Sequence, residues 1–284
     1  MSVSVKAPAK INLVLDVVGR REDGYHLLET VFQTIDWYDR ITVEFADTIQ
    51  VFCDGGAPQD FSNTAYRAAA AFREYTGRQE GYRITVEKHI PMQAGLAGGS
   101  ADAAGVLVAL NRLTGENLPL ETLCELGAKI GADVPFCIRG GTALGTGTGT
   151  DLWPLPAFNR GYFVIVKPVG GVSTPEAYRL VDAKTNLLHP SASAFCAALR
   201  NDDWDEMAAL VGNSFEEALA LPDCLAARDR LLESGAVAAC MSGSGSAVFG
   251  LFRSHDKAAA CAVEMAQHYA QVRVCQPCDG IVFV

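Results

Sequence analysis

Pro91-Met92-Gln93-Ala94-Gly95-Leu96-Ala97-Gly98-Gly99-Ser100-Ala101, running on into Asp102-Ala103-Ala104-Gly105-Val106-Leu107-Val108-Ala109-Leu110-Asn111, reads as a loop feeding a helix. Gly95, Gly98 and Gly99 lack a Cβ, so the backbone there can take φ > 0, come close to a ligand and turn its amide N–H groups inward. Ser100 stands where an N-cap belongs. The residues after it are apolar on nearly every face, which predicts a helix buried in the body of the protein. Its free N–H groups and the positive end of its dipole point back into the loop, an arrangement suited to phosphate. The spacing excludes two better-known phosphate loops: no Lys follows the last glycine, and Gly-x-Gly-x-x-Gly is absent. A plain strand-to-helix turn is the alternative reading of such a cluster.

Outward from this stretch, 284 residues suffice for two domains, expected at 1–155 and 156–284. An apolar fraction of 49% and a charged fraction of 20% describe a globular chain. A formal net charge of -10, with no run of Lys or Arg, argues against nucleic acid or an anionic membrane as partner. An anionic small molecule would then be held by focused local groups. No apolar run approaches the length of a membrane span and the first residues have no long apolar core with a cleavage site, so the cytoplasm is the expected compartment. The nine cysteines are an odd number, and Cys275-x-x-Cys278 has no second such pair, which predicts reduced, mostly buried thiols and not a zinc site.

Strands are predicted over Ile11 to Val18, Ile41 to Phe45, Ile49 to Phe52 and Tyr82 to Lys88, with an alanine-rich helix over Asn63 to Tyr75. A helix over Leu120 to Ile130 stops at Gly131, and Ala132-Asp133-Val134-Pro135-Phe136 reads as a loop turning into a short apolar strand. In the second half, Tyr162 to Val166 is a strand, and Thr174-Pro175 fits an N-cap with proline at the first helical position. Helices over Ser191 to Arg200, Trp204 to Leu210, Cys224 to Ser234 and Lys257 to Tyr269 alternate there with strands, a pattern that predicts an antiparallel or mixed sheet covered on one face.

Two charges sit in apolar surroundings: Lys10 before Ile11-Asn12-Leu13-Val14-Leu15, and Asp133 between Gly131-Ala132 and Val134-Pro135-Phe136. Each alone would cost several kcal/mol, roughly, to desolvate, so pairing is the economical solution. The pair is either a buried structural bridge or, beside a phosphate loop, a base and a charge stabiliser for phosphoryl transfer, the lysine keeping the carboxylate ready to accept a hydroxyl proton.

Pro-x-x-x-Gly-Leu-x-Gly-Gly-Ser before an alanine-rich helix resembles the ATP loop of the GHMP small-molecule kinases. Pro8-Ala9-Lys10-Ile11-Asn12-Leu13 is similar to the first motif of that family, and Ser242-Gly243-Ser244-Gly245-Ser246 sits where its third, glycine-rich motif belongs. Ala97 stands where many members have glycine, which requires a negative φ there to keep the backbone path. The resemblance implies a two-domain α+β fold, with an N-terminal domain like ribosomal protein S5 and a C-terminal ferredoxin-like α/β sandwich. It also implies ATP with Mg²⁺, a small-molecule substrate, and a monomer or homodimer. By position it assigns Asp133 as base and Lys10 as its partner, residues Pro91 to Ala101 to the ATP phosphates, and Asn63 and Lys88 to the adenosine, with Asp102 close by.

Each of these has a plainer use. Asn63 caps a helix, Lys88 is a solvated strand-end charge, and Asp102 complements a helix dipole. Lys10-Ile11-Asn12-Leu13, Asp23-Gly24-Tyr25-His26, the ATP loop and Gly131-Ala132-Asp133-Val134-Pro135-Phe136 together narrow the resemblance to family members whose acceptor is a cytidine-diphosphate-linked methylerythritol, phosphorylated at its 2-hydroxyl. On that reading Tyr25 stacks the base and His26 hydrogen-bonds its edge, Tyr178 is an aromatic wall, and Asn12 and Thr174 complete the substrate set. His26 capping its strand and Tyr178 packing its helix remain the alternatives. A kinase for mevalonate or homoserine is the competing activity. The Mg²⁺ ligands are not specified by the sequence.

Overall fold

The computed structural model describes all 284 residues. β1 (Ser2–Arg20) and β2 (His26–Ala46) form a hairpin paired from Ser2 against Glu44 to Arg20 against His26. The strands predicted here, Ile11 to Val18 and Ile41 to Phe45, are much shorter; the polar residues Lys10, Asn12, Asp16, Thr30, Gln33, Thr34 and Asp39 are all buried inside the hairpin. The register shifts between Pro8 and Ala9, Asn12 and Val14, and Val17 and Gly19, so the hairpin is bulged and bent. β3 (Gln50–Cys53) runs parallel to β4 (Gly81–Glu87), and the crossover that a parallel pair requires is α1 (Thr64–Thr76).

α2 (Gly98–Thr114) packs against β1 and β2. It is packed so closely that a Cβ on Gly105 would lie 2.8 Å from Ile41 Cδ1, which is why a glycine stands inside a helix. The helix begins two residues before Ser100; its N-cap is Ala97, and Ser100 lies in the first turn. Ala97 takes φ 57 and ψ 30, the left-handed region, against the negative φ expected of it. Its neighbours hold it there: Leu96 O accepts from Lys10 N at 3.2 Å and Ala94 O from Ala247 N at 2.9 Å.

α3 (Leu120–Ala128) and α4 (Val134–Arg139) follow. The apolar run expected as a strand after Asp133 is instead α4, because Pro135 needs no N–H partner in a first turn and its fixed φ suits a helix. β5 (Thr142–Thr146) pairs with β2 and with β6 (Asp151–Pro154).

The second half contains β7 (Tyr162–Lys167), α5 (Thr174–Asp182), α6 (Ala192–Arg200), α7 (Trp204–Ala209), β8 (Gly212–Asn213), α8 (Ser214–Leu219) and α9 (Pro222–Glu233). It ends with β9 (Ala238–Met241), β10 (Val248–Phe252), α10 (His255–Met265), β11 (Gln271–Cys275) and β12 (Val282–Phe283). Ser173, not Thr174, is the N-cap of α5. The second sheet, in the order β11-β7-β10-β9, is antiparallel. It is covered on both faces: Val164 and Val166 cluster with Leu231 of α9 and Cys261 of α10, whereas Phe163 and Ile165 join Phe195 of α6 in the main core. The unbroken apolar run of β7 is the signature of that double burial.

β8 and β12 return to pair with β1, and one cluster of 52 buried residues spans both sheets, so the two halves share a core. All nine cysteines are free, seven of them buried. Burial pushes the Cys53 and Cys224 thiols up to about 11, which keeps them protonated and unreactive. No helix is long and apolar enough to cross a membrane.

Candidate active site

The glycine loop is held from behind by the chain that the sequence marked as a second glycine-rich run. Ser242 Oγ donates to Gly95 O at 2.9 Å and accepts from Asn12 N at 3.3 Å, so one hydroxyl ties the loop to β1. A Cβ on Gly95 would lie 1.9 Å from Ser242 O. Its φ of 74 adds a second reason for glycine there. At the front, the N–H groups of Gly98, Gly99 and Ser100 have no partner in the protein. These three residues, with Pro91 to Gly95 and Ala97, line a cavity of about 1010 Å³. Leu96 and Ala101 are fully buried behind it.

Lys10 and Asp133 meet at this cavity, Nζ to Oδ2 at 3.4 Å. Lys10 is buried to 4% exposure, whereas the side chain of Asp133 keeps 34%, so the carboxylate can be reached and the ammonium is fixed. The fixing is specific. Lys10 Nζ donates to Asn12 Oδ1 at 2.8 Å, Asn12 Nδ2 to Thr30 Oγ1 at 2.8 Å, and Thr30 Oγ1 to Val14 O at 2.7 Å. Lys10 and Asn12 are two apart on a strand and so share a face. Asp133 occupies the N-cap position of α4 without capping it, which leaves its oxygens for other partners.

Asn63 and Lys88 also line the cavity, both with their polar atoms engaged. Asn63 Oδ1 accepts from Ala65 N at 2.8 Å, capping α1, and Nδ2 donates to Pro58 O at 2.5 Å. Lys88 is no solvated charge: its ammonium bridges Asp39 and Asp102, the latter at 2.6 Å. Asp39 also accepts from Ile90 N at 2.8 Å, while Asp102 Oδ1 is buried without a partner. Burial above all, then the Asp39 charge working against Lys88, pushes the Asp102 carboxyl up to about 7.

Thr174 and Tyr178 line the same cavity from α5. Thr174 Oγ1 lies 3.2 Å from Ser244 Oγ, and Tyr178 meets Phe215 edge to face with ring centres 5.0 Å apart. Burial first, and the Asp133 charge second, pushes the Tyr178 phenol up to about 12, so it stays protonated. His26 stacks flat on Tyr178, ring centres 4.3 Å apart and planes 15° apart, and Nε2 lies 2.7 Å from Asp182 Oδ1. Tyr25 projects from the adjoining turn, 66% exposed. Lys167, Gly170 and Gly171 are further lining residues that the sequence reading left out. Asp39, Asp182 and Thr30 also escaped it: Asp39 and Asp182 sit in stretches whose polarity reads as surface, Thr30 lies within the apolar segment Leu27 to Ile35, and only the tertiary fold reveals what each touches.

The fold and this site define a class. Residues 63–141 match the family described as GHMP kinases N terminal domain, and residues 195–271 match GHMP kinases C terminal. Among curated relatives, the 4-diphosphocytidyl-2-C-methyl-D-erythritol kinase of Carboxydothermus hydrogenoformans is 44% identical over 256 residues, 89% of each chain. That of Clostridium perfringens is 42% identical over 255 residues, 88% of each chain. A crystal structure of 4-(cytidine 5'-diphospho)-2C-methyl-D-erythritol kinase, 36% identical, superposes with a TM-score of 0.82 over 98% of this chain and 100% of that one. The chain belongs to this family, the 4-diphosphocytidyl-2-C-methyl-D-erythritol kinases within the GHMP kinases. It is a small-molecule kinase with ATP as phosphoryl donor, on the two-domain α+β fold of that class.

Proposed function

We propose that this chain transfers the γ-phosphoryl of ATP to the 2-hydroxyl of 4-diphosphocytidyl-2-C-methyl-D-erythritol, a step of the methylerythritol phosphate route to isoprenoid precursors. The observation that carries this is the Lys10–Asp133 pair opening onto the same cavity as the unpartnered N–H groups at the start of α2. Those N–H groups receive phosphate oxygens. Asp133 takes the proton of the attacking hydroxyl, and Lys10, held by Asn12, meets the negative charge on the transferring group. Positioning and electrostatics are what phosphoryl transfer asks of a protein. Lys167 and the first turn of α5 at Thr174 suit the acceptor's diphosphate, and the His26–Tyr178 stack suits its base.

The donors at the cavity fit Mg²⁺, a hard ion that binds through few protein oxygens plus substrate phosphates. Ser100 Oγ lies beside the loop that carries Asp133, 3.7 Å from where a Cβ on Gly131 would be, and would hold the ion together with the ATP phosphates. When bound, the ion neutralises phosphate charge. The free thiols and the lack of a candidate membrane-crossing helix support a cytoplasmic enzyme.

The test is ATP consumption by the purified protein with the cytidine compound, mevalonate and homoserine. The cytidine compound should be turned over with the highest kcat/KM. Equal or greater turnover of either alternative would assign the acceptor to that class instead.

A further inference from the structure

Asp182 ends α5, and its two oxygens are divided between two partners from the hairpin. His26 Nε2 lies 2.7 Å from Oδ1, and Arg20 Nη1 lies 3.3 Å from Oδ2. Arg20 also donates through Nε to Gly24 O at 3.1 Å, which fixes the turn carrying Tyr25 and His26. His26 lies flat on Tyr178, a residue of the cavity wall, and its Nδ1 makes no hydrogen bond within the protein. The imidazole thus has one nitrogen hydrogen-bonded and one without a partner in the protein.

We propose that Asp182 is a positioning residue that sets base specificity: by accepting the Nε2–H of a neutral His26 it leaves Nδ1 as an acceptor for the exocyclic amino group of cytosine. The proposal rests on the cytidine-linked acceptor given above. A carboxylate can only accept, so the nitrogen facing it must carry the hydrogen. Arg20 already balances that carboxylate, so the pair is complete with a neutral ring. The other nitrogen is then a bare lone pair. Cytosine offers N4–H₂ to such an acceptor; uracil has the O4 acceptor at the same place, and two acceptors facing one another cannot bond.

Asp182→Asn gives a reading that mere loss of packing would not. Arg20 can bond only an acceptor, so it claims the amide oxygen and turns the NH₂ toward Nε2. That reverses the tautomer and makes Nδ1 a donor, which suits uracil O4. Asp182→Ala leaves the tautomer unforced. The side chain of Asp182 is 37% exposed, so neither change threatens the fold.

The experiment measures kcat/KM for the cytidine substrate and for its uridine analogue with wild type, Asp182→Asn and Asp182→Ala, alongside KM for ATP. The cytidine-to-uridine ratio should fall by about tenfold or more in Asp182→Asn, the scale of one lost hydrogen bond, and by less in Asp182→Ala, with KM for ATP unchanged. A ratio unchanged in Asp182→Asn, or lowered at least as far in Asp182→Ala, overturns the proposal. Nitrogen-15 NMR of His26 in the unliganded wild type at neutral pH should show hydrogen on Nε2 alone; hydrogen on Nδ1 also overturns it. A wild type that does not favour the cytidine compound over mevalonate and homoserine sinks the underlying acceptor reading, and is distinguishable because the NMR result does not depend on it.

Discussion

Lys88 sits between two carboxylates, so the group Asp39, Lys88 and Asp102 carries one negative charge more than positive when all are ionised. Asp39 spreads its charge over several donors, whereas Asp102 has Lys88 alone, and burial raises its carboxyl to about 7. The folded-state value then lies above the ordinary carboxylate value of about 4. Between those values the folded protein holds a proton that the unfolded chain has released, so the contribution is full in acid and is lost as pH rises through about 7. Asp102→Asn should flatten this part of the profile: between about pH 5 and 8 its thermal midpoint should decline less than that of the wild type. Parallel profiles would show that Asp102 does not titrate there. The Lys10–Asp133 pair was legible in the sequence because each charge interrupts an apolar run. Asp39 was not, since Tyr38-Asp39-Arg40 reads as surface although Asp39 is fully buried.

At the scale of elements, the glycine loop and the helix it feeds were legible from composition, but the helix start was not. Ser100 is the residue with capping chemistry, yet the hydrogen bonds that decide the start come from Lys10 and Ala247, remote in sequence. They hold Ala97 left-handed, at a cost of about 1–2 kcal/mol for a residue with a Cβ. Ala97→Gly relieves that strain and loses part of the gain to the freer unfolded chain. It should therefore raise stability by up to about 1 kcal/mol in denaturant unfolding, with ATP affinity kept; a loss of stability contradicts the strain. Two loop glycines should behave oppositely. A Cβ on Gly95 meets the Ser242 carbonyl at 1.9 Å, whereas one on Gly99 meets only the Thr64 side chain, its hydroxyl at 3.4 Å and its methyl at 3.9 Å. Gly95→Ala should raise KM for ATP by about tenfold or more while Gly99→Ala stays within about threefold, since only the first displaces the loop backbone. Equal effects would remove Ser242 as the loop's support. The α4 segment was misread for a related reason: an apolar run with proline has no periodicity of its own, and its helical state follows from Pro135 falling in a first turn.

For the whole molecule, the α+β class and the order of most elements could be read from apolar patterning. The return of β8 and β12 to β1 could not, because two-residue strands carry no pattern. Those returns and the shared core of 52 residues couple the halves, so calorimetric unfolding should be a single transition. Two resolved transitions would mean that the halves fold independently. The cavity spans the halves in the same way, lined by Lys10 and Asp133 on one side and Thr174 with Tyr178 on the other. The most direct test of this account is kcat of Asp133→Asn with the cytidine substrate, measured beside its ATP dissociation constant. Transfer through Asp133 predicts a fall in kcat of at least about a hundredfold with ATP bound as tightly as by the wild type, and kcat within a few fold of wild type would contradict it.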